Sequence, residues 1–176
     1  MRILGLGGWS GAGKTTLLSK LIPELIRRGI TVSTMKHAHH GFDVDQPGKD
    51  SYVHRQAGAT EVLVASEKRW ALMHEQREPH EPTAADLARH MSPVDVLLVE
   101  GFKREPHDKL EIYRAENNKP LLSTGDPTYV AILTDTPVSD TKLPVIDLND
   151  VPAIADFIVK HCGLRTRLQS PEPELT

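Results

Sequence analysis

The chain has 176 residues, 39% hydrophobic and 26% charged, with a net charge of -3; that length suits one α/β domain with a real core and is short for two. The charge balance offers no basic footprint for a nucleic-acid backbone, and no window approaches the ~18 apolar residues of a membrane span. The lone Cys162 excludes an intramolecular disulfide framework and a cysteine-based zinc cluster, which points to a reducing cytoplasmic compartment.

In chain order, Arg2 to Gly7 is a short apolar run closed by Gly7-Gly8 and reads as a buried first strand. Thr15 to Arg28 then has helical periodicity, with Leu17, Leu18, Leu21, Ile22, Leu25 and Ile26 in one apolar stripe. Pro23 should kink that helix and Gly29 should stop it. Ile30 to Met35 reads as strand two. Lys36 to Ala59 is a long polar connection with His37, His39, His40, several acids and Pro47-Gly48, the kind of connection that is usually functional or partly mobile. Glu61 to Ser66 and Arg69 to His74 predict a hairpin across Glu67-Lys68. Glu75 to Pro82 reads as a loop, and Thr83 caps a helix that runs to about Met91. Val94 to Val99 is the most apolar run and predicts a central strand. Leu110 to Tyr113, Tyr129 to Leu133 and Val145 to Leu148 are further strands. Pro152 to Cys162 is the closing helix, with Gly163 as its stop. The alternation predicts an α/β fold whose sheet is mostly parallel, with the hairpin as its antiparallel part. Residues 1–163 form a single nucleotide-binding domain in this reading, and 164–176 a disordered tail.

One motif concentrates the chemistry. Gly8-Trp9-Ser10-Gly11-Ala12-Gly13-Lys14-Thr15 fits G-x-x-x-x-G-K-[ST] between a predicted strand and a predicted helix. The glycines let backbone N–H groups turn inward around phosphate oxygens, and the helix adds its positive N-terminal end. Lys14 is expected to reach the β- and γ-phosphates and the Thr15 hydroxyl to bind Mg²⁺.

Such a loop also needs an acid at the end of a neighbouring strand. Glu100, closing Val96-Leu97-Leu98-Val99, is the candidate for Mg²⁺ and for catalysis with Lys14, and Gly101 would permit close approach of the γ-phosphate. The plainer alternative is a solvated strand-end acid, which is the reading given to Asp95. Lys36 and His37 leave the carboxyl end of strand two, where ligands bind in open α/β sheets, and are expected to recognise an anion. A metal site or a merely solvated loop are the alternatives for the His- and Asp-rich stretch. Trp9 and Trp70 read as packing groups. Asp135 should emerge at the carboxyl edge after Tyr129 to Leu133. There its carboxylate can accept the two adjacent donors of guanine, or simply open the Thr134-Asp135-Thr136-Pro137 turn.

The loop continuing through Thr16-Leu17, the Lys36-His37-Ala38-His39-His40 stretch, Asp45-Gln-Pro-Gly-Lys-Asp-Ser-Tyr52, Ala57-Gly58-Ala59, Arg69-Trp70-Ala71-Leu72 and Val99-Glu100-Gly101-Phe102-Lys103 together resemble the MobB proteins of molybdenum-cofactor biosynthesis. The resemblance extends from the start to about Phe157. It implies a P-loop NTPase-type three-layer sandwich and a homodimeric GTP-binding protein with weak GTPase activity at most. It implies nucleotide contacts from the loop through Thr16, and GTP with Mg²⁺ as ligands. It also implies a partner, the MobA nucleotidyltransferase that attaches GMP to molybdopterin, with molybdopterin itself a further candidate ligand. Two other classes are weighed against this adapter. A small-molecule P-loop kinase wants a mobile basic lid of clustered arginines, and a motor ATPase of the ParA or MinD kind wants a second lysine where this chain has Trp9.

Overall fold

The structure is a computed structural model that describes residues 1–38, 41–77 and 80–167. His39 and His40 of the histidine stretch and the tail from 168 onward lie outside the described residues. In chain order the elements are β1 (Arg2–Gly7), α1 (Lys14–Arg27), β2 (Val32–Lys36), α2 (Asp50–Gln56), β3 (Glu61–Ala65), β4 (Trp70–His74), α3 (Ala84–Ala88), β5 (Val96–Glu100), β6 (Lys109–Tyr113), a 3-10 turn (Ala115–Asn117), β7 (Tyr129–Thr134), β8 (Val145–Asp147) and α4 (Val151–Cys162). The described residues fall into two compact units, one made of 1–37 with 83–167 and the other lying between 38 and 82.

The larger unit is a parallel sheet in the order β2-β5-β1-β6-β7-β8. Alternation along each strand sends Leu4, Leu6, Val96, Leu98, Leu110, Ile112, Ala131 and Leu133 to one face, where Leu17, Leu21 and Leu25 of α1 and Ile154 and Ile158 of α4 close the main core. Leu97 and Val99 point to the opposite face and pack with Ala84 and Ala88 of α3. Helices on both faces of a mostly parallel sheet make the expected α/β architecture. Each of these fully buried leucines contributes roughly 1.5–3 kcal/mol by leaving water.

Helix α1 continues through Pro23 to Arg27, and Gly29 stops it in the left-handed region at φ 74°. Helix α3 carries a full capping box between Thr83 and Asp86, and Asp150 caps α4 by accepting from the Ala153 N–H. Asp95 is tied down rather than solvent-facing. It accepts from the Thr31 backbone N–H at 2.8 Å and the Thr31 hydroxyl at 2.7 Å, bonds that hold its carboxyl below the usual carboxylate range. Of the tail expected to be disordered, Arg167 instead donates its N–H to the Arg28 carbonyl at 2.9 Å.

In the smaller unit the hairpin forms at the expected residues but makes its own two-stranded sheet, β3-β4, and does not join the parallel one. The long connection is not structureless either: it contains α2, which has no buried residue and therefore no apolar stripe to betray it. Among the described residues no helix is long and apolar enough to cross a membrane.

Candidate functional site

The loop between β1 and α1 is built by backbone geometry. Gly11 and Gly13 adopt left-handed φ values of 81° and 96°, a region that costs any residue with a Cβ. Gly13 is the N-cap of α1 and carries no side chain to satisfy the helix, and the first turn contains no acid. α3 and α4 cap themselves, whereas α1 leaves its leading N–H groups, those of Lys14, Thr15 and Thr16, available for an anion. Ala12 N–H donates to the Trp9 carbonyl at 3.1 Å and closes the loop into a tight turn. Lys14 folds back over it, its Nζ donating to the carbonyls of Gly8 at 2.9 Å and Trp9 at 3.1 Å.

Three strands bring the remaining groups to the same edge. Register sets Glu100 of β5 beside Leu6 of β1 and beside Lys36 of β2, and the His37 N–H extends that ladder by donating to the Glu100 carbonyl at 2.8 Å. Burial lowers the Lys14 pKa; the Glu100 carboxylate opposes this, while Lys103 and Lys36 push the same way as burial. Three ammonium groups and one carboxylate thus share the mouth of the loop, an arrangement that favours a polyanion together with a hard cation. The oxygens of Thr15 and Glu100 are the donor type Mg²⁺ takes. Gly101 turns the chain away at φ 93°, and a Cβ there would sit 2.6 Å from the His37 Cβ. The His37 ring packs on Phe102 with centroids 4.9 Å apart.

Several groups at this edge went unread in the sequence. Arg114, just past β6, donates from Nε to the Ala12 carbonyl at 3.3 Å and from Nη1 to the carboxylate of Asp135. Asp135 therefore stands at the carboxyl edge, as expected, with an arginine on it. Trp9 is held by its indole Nε1, which donates to the Pro120 carbonyl at 2.9 Å, and Lys103 and Lys119 lie 5.6 and 5.8 Å from its ring centroid. Asn117 borders Gly11, with its Oδ1 3.8 Å from where a Gly11 Cβ would lie, and its buried Nδ2 has no hydrogen-bond partner among the described residues. The residues from 114 to 120 thus lie along the tip of the loop. The available signal was position: Arg114 leaves the carboxyl end of a strand that pairs directly with β1.

Within the smaller unit, Arg55 binds Asp43 at 2.7 Å, Asp45 at 2.8 Å and Glu75 at 3.3 Å. The acids that invited a metal reading are thereby paired, and among the described residues no group of three or more His, Cys, Asp or Glu is placed to hold a metal ion. Trp70 is not a packing group here: it is 65% exposed and lines an open cleft with Val44, Val64, Arg69 and Met73.

The model of the family described as molybdopterin guanine dinucleotide synthesis protein B, MobB, matches residues 3–135. The chain is 45% identical over 161 residues to the molybdopterin-guanine dinucleotide biosynthesis adapter protein of Escherichia coli K12, covering 90% of this chain and 91% of that protein. It is 44% identical to the protein of the same name from Haemophilus influenzae, covering 89% and 86%. A crystal structure of molybdopterin-guanine biosynthesis protein B superposes with a TM-score of 0.72 at 25% identity, over 90% of this chain and 99% of that one. Bacillus subtilis MobB shares the fold with a TM-score of 0.69 at 24% identity, over 95% and 100%. With that family model matched over residues 3–135 and relatives 45% and 44% identical over most of both chains, the chain belongs to the MobB family.

Proposed function

We propose that this protein is a GTP-binding adapter of molybdenum-cofactor biosynthesis, which assists a MobA-type nucleotidyltransferase in attaching GMP to molybdopterin to form molybdopterin guanine dinucleotide. The observation that carries the reading is the loop itself. Lys14 Nζ rests on the Gly8 and Trp9 carbonyls above an uncapped helix N-terminus, with Glu100, Lys36 and Lys103 around it. In this reading the leading N–H groups of α1 and Lys14 hold the triphosphate, Thr15 and Glu100 hold Mg²⁺, and Lys36 and His37 add to anion recognition. Asp135 accepts the ring N1–H and exocyclic amine of guanine, a pair of donors that adenine lacks. Relatives sharing about 45% of the sequence are named adapter proteins, which favours an auxiliary role over the small-molecule kinase. The protein acts as a homodimer, the hairpin face supplying the apolar surface for a second copy.

The test is calorimetry with GTP and ATP in the presence and absence of Mg²⁺. GTP should bind more tightly than ATP, and Lys14→Ala should abolish triphosphate binding without unfolding the chain, because it removes a phosphate-facing charge from an accessible loop. Glu100→Gln should keep the nucleotide and lose Mg²⁺ dependence. Lys14→Ala with wild-type affinity would sink the assignment. Turnover measured with and without a MobA-type enzyme and molybdopterin separates adapter from kinase: the adapter raises the partner's output and phosphorylates nothing itself.

A further inference from the structure

Arg114 is held at two corners. Its Nε–H donates to the Ala12 carbonyl of the phosphate loop at 3.3 Å, and its Nη1 donates to Oδ2 of Asp135. These bonds use two of the five N–H donors of a guanidinium and fix its plane between β6 and β7 at the carboxyl edge of the sheet. The Nη2 corner lies over Gly13, 3.8 Å from where a Cβ would be. Arg114 also lines a cleft that starts at Gly13 and Thr16 on the loop and ends at Leu148 and Asn149 after β8. A nucleotide whose phosphates occupy the loop directs its base along that edge. A fixed, partly exposed guanidinium is thus presented beside the Asp135 carboxylate.

The two side chains have complementary chemistry. On one edge guanine offers O6 and N7 as adjacent acceptors, which a guanidinium can take together, and next to them come the N1–H and amine donors that suit a carboxylate. A carboxylate has about four lone-pair sites, so Asp135 can keep Arg114 while accepting both base donors. Adenine at the same place would turn its N6 amine toward the guanidinium, donor against donor.

Resting on the GTP-binding reading above, we propose that Arg114 is a specificity-determining residue that donates to O6 and N7 of guanine, forming one base-reading unit with Asp135 that is anchored to the phosphate loop at Ala12. The anchor makes the base reader and the phosphate cradle rigid with respect to each other, so a correct base also sets the phosphates.

The test is equilibrium binding of GTP, 7-deaza-GTP, inosine triphosphate and ATP, with Mg²⁺, to the wild type and to Arg114→Met, which keeps an apolar stem and removes every donor. Wild type should bind GTP on the order of tenfold more tightly than 7-deaza-GTP, which lacks the N7 acceptor. In Arg114→Met that ratio should fall to about one, while the preference for GTP over inosine triphosphate, which lacks the exocyclic amine read by Asp135, should survive. Arg114→Lys, which retains a donor near Ala12, should fall between the two. The inference is overturned if wild type does not distinguish GTP from 7-deaza-GTP, a result that needs no variant to fold. It is also overturned if Arg114→Met keeps the wild-type ratio, including the case where all four nucleotides weaken equally because Arg114 serves the phosphates. Equal wild-type affinity for ATP and GTP is a different result: it removes the guanine reading itself and this inference with it.

Discussion

Trp9 and Pro120 lie 111 positions apart in the chain, and the indole Nε1 of one donates to the carbonyl of the other at 2.9 Å. The bond fastens the segment after β6 to the tip of the Gly-rich loop, with the ammonium groups of Lys103 and Lys119 over the indole. Trp9→Phe keeps an aromatic face for those cations and deletes the donor. A net contribution of about 0.5–1.5 kcal/mol is expected from such a bond. The variant should therefore unfold slightly earlier in denaturant and show faster amide exchange in residues 114–125. Exchange rates identical to wild type would show that the bond does not order this segment.

A deeper anchor serves the same segment. Glu111 is fully buried in β6, and its two carboxylate oxygens accept the backbone N–H groups of Leu122 at 2.6 Å and Ser123 at 2.9 Å. Glu111→Gln preserves shape but turns an amide donor toward one of those N–H groups, leaving a buried donor without an acceptor. The cost should be about 1–3 kcal/mol, larger than for Trp9→Phe, and equilibrium denaturation measures it. A midpoint equal to wild type would mean that the loop re-pairs with water instead.

What was legible in the sequence is local. The Gly-rich loop, the strand before it, the helix after it and the strand that ends at Glu100 are contiguous patterns, and these elements form at those residues. What was missed is non-local or breaks the apolar rule. Lys109 and Glu111 alternate with Leu110 and Ile112 along β6, which reads as a water-facing side, yet both are buried; Lys109 is satisfied by the Glu105 carbonyl at 2.6 Å and the Thr128 hydroxyl at 2.5 Å. Arg114 gains its meaning from Ala12, 102 residues away, and from Asp135, 21 residues away. The hairpin was visible as a hairpin, but period-2 patterning does not say which sheet a ribbon joins.

That hairpin presents an unpaired apolar face. Register places Leu63 opposite Leu72 and Ala65 opposite Trp70, so these four share one side of the ribbon, while Val62 is buried on the other. Leu63 is 60% exposed and Leu72 44%, more apolar surface than a two-stranded ribbon keeps in water at low cost. If a second copy covers it, Leu63→Glu and Leu72→Glu should each produce monomer or aggregate by light scattering. A soluble dimer in both variants would place the subunit interface elsewhere.

His107 packs against β1 where Gly5 leaves room: a Cβ at Gly5 would lie 2.7 Å from His107 Nε2, and that nitrogen is buried with no hydrogen-bond partner among the described residues. Burial lowers the His107 pKa below its ordinary 6.5, the Lys109 ammonium lowers it further, and Glu105, Asp108 and Asp126 oppose the shift. Because the folded value is depressed, the unfolded chain binds more protons between the two pKa values, so stability rises with pH there. The contribution is present in full above about pH 6.5 and is lost as pH falls through the folded value. His107→Gln removes the titration and keeps a polar side chain of similar reach. Denaturation midpoints followed from about pH 7.5 down to about pH 5 should decline more steeply for wild type than for the variant. Parallel declines would show that His107 does not carry the acid sensitivity and leave it as a packing group against Gly5.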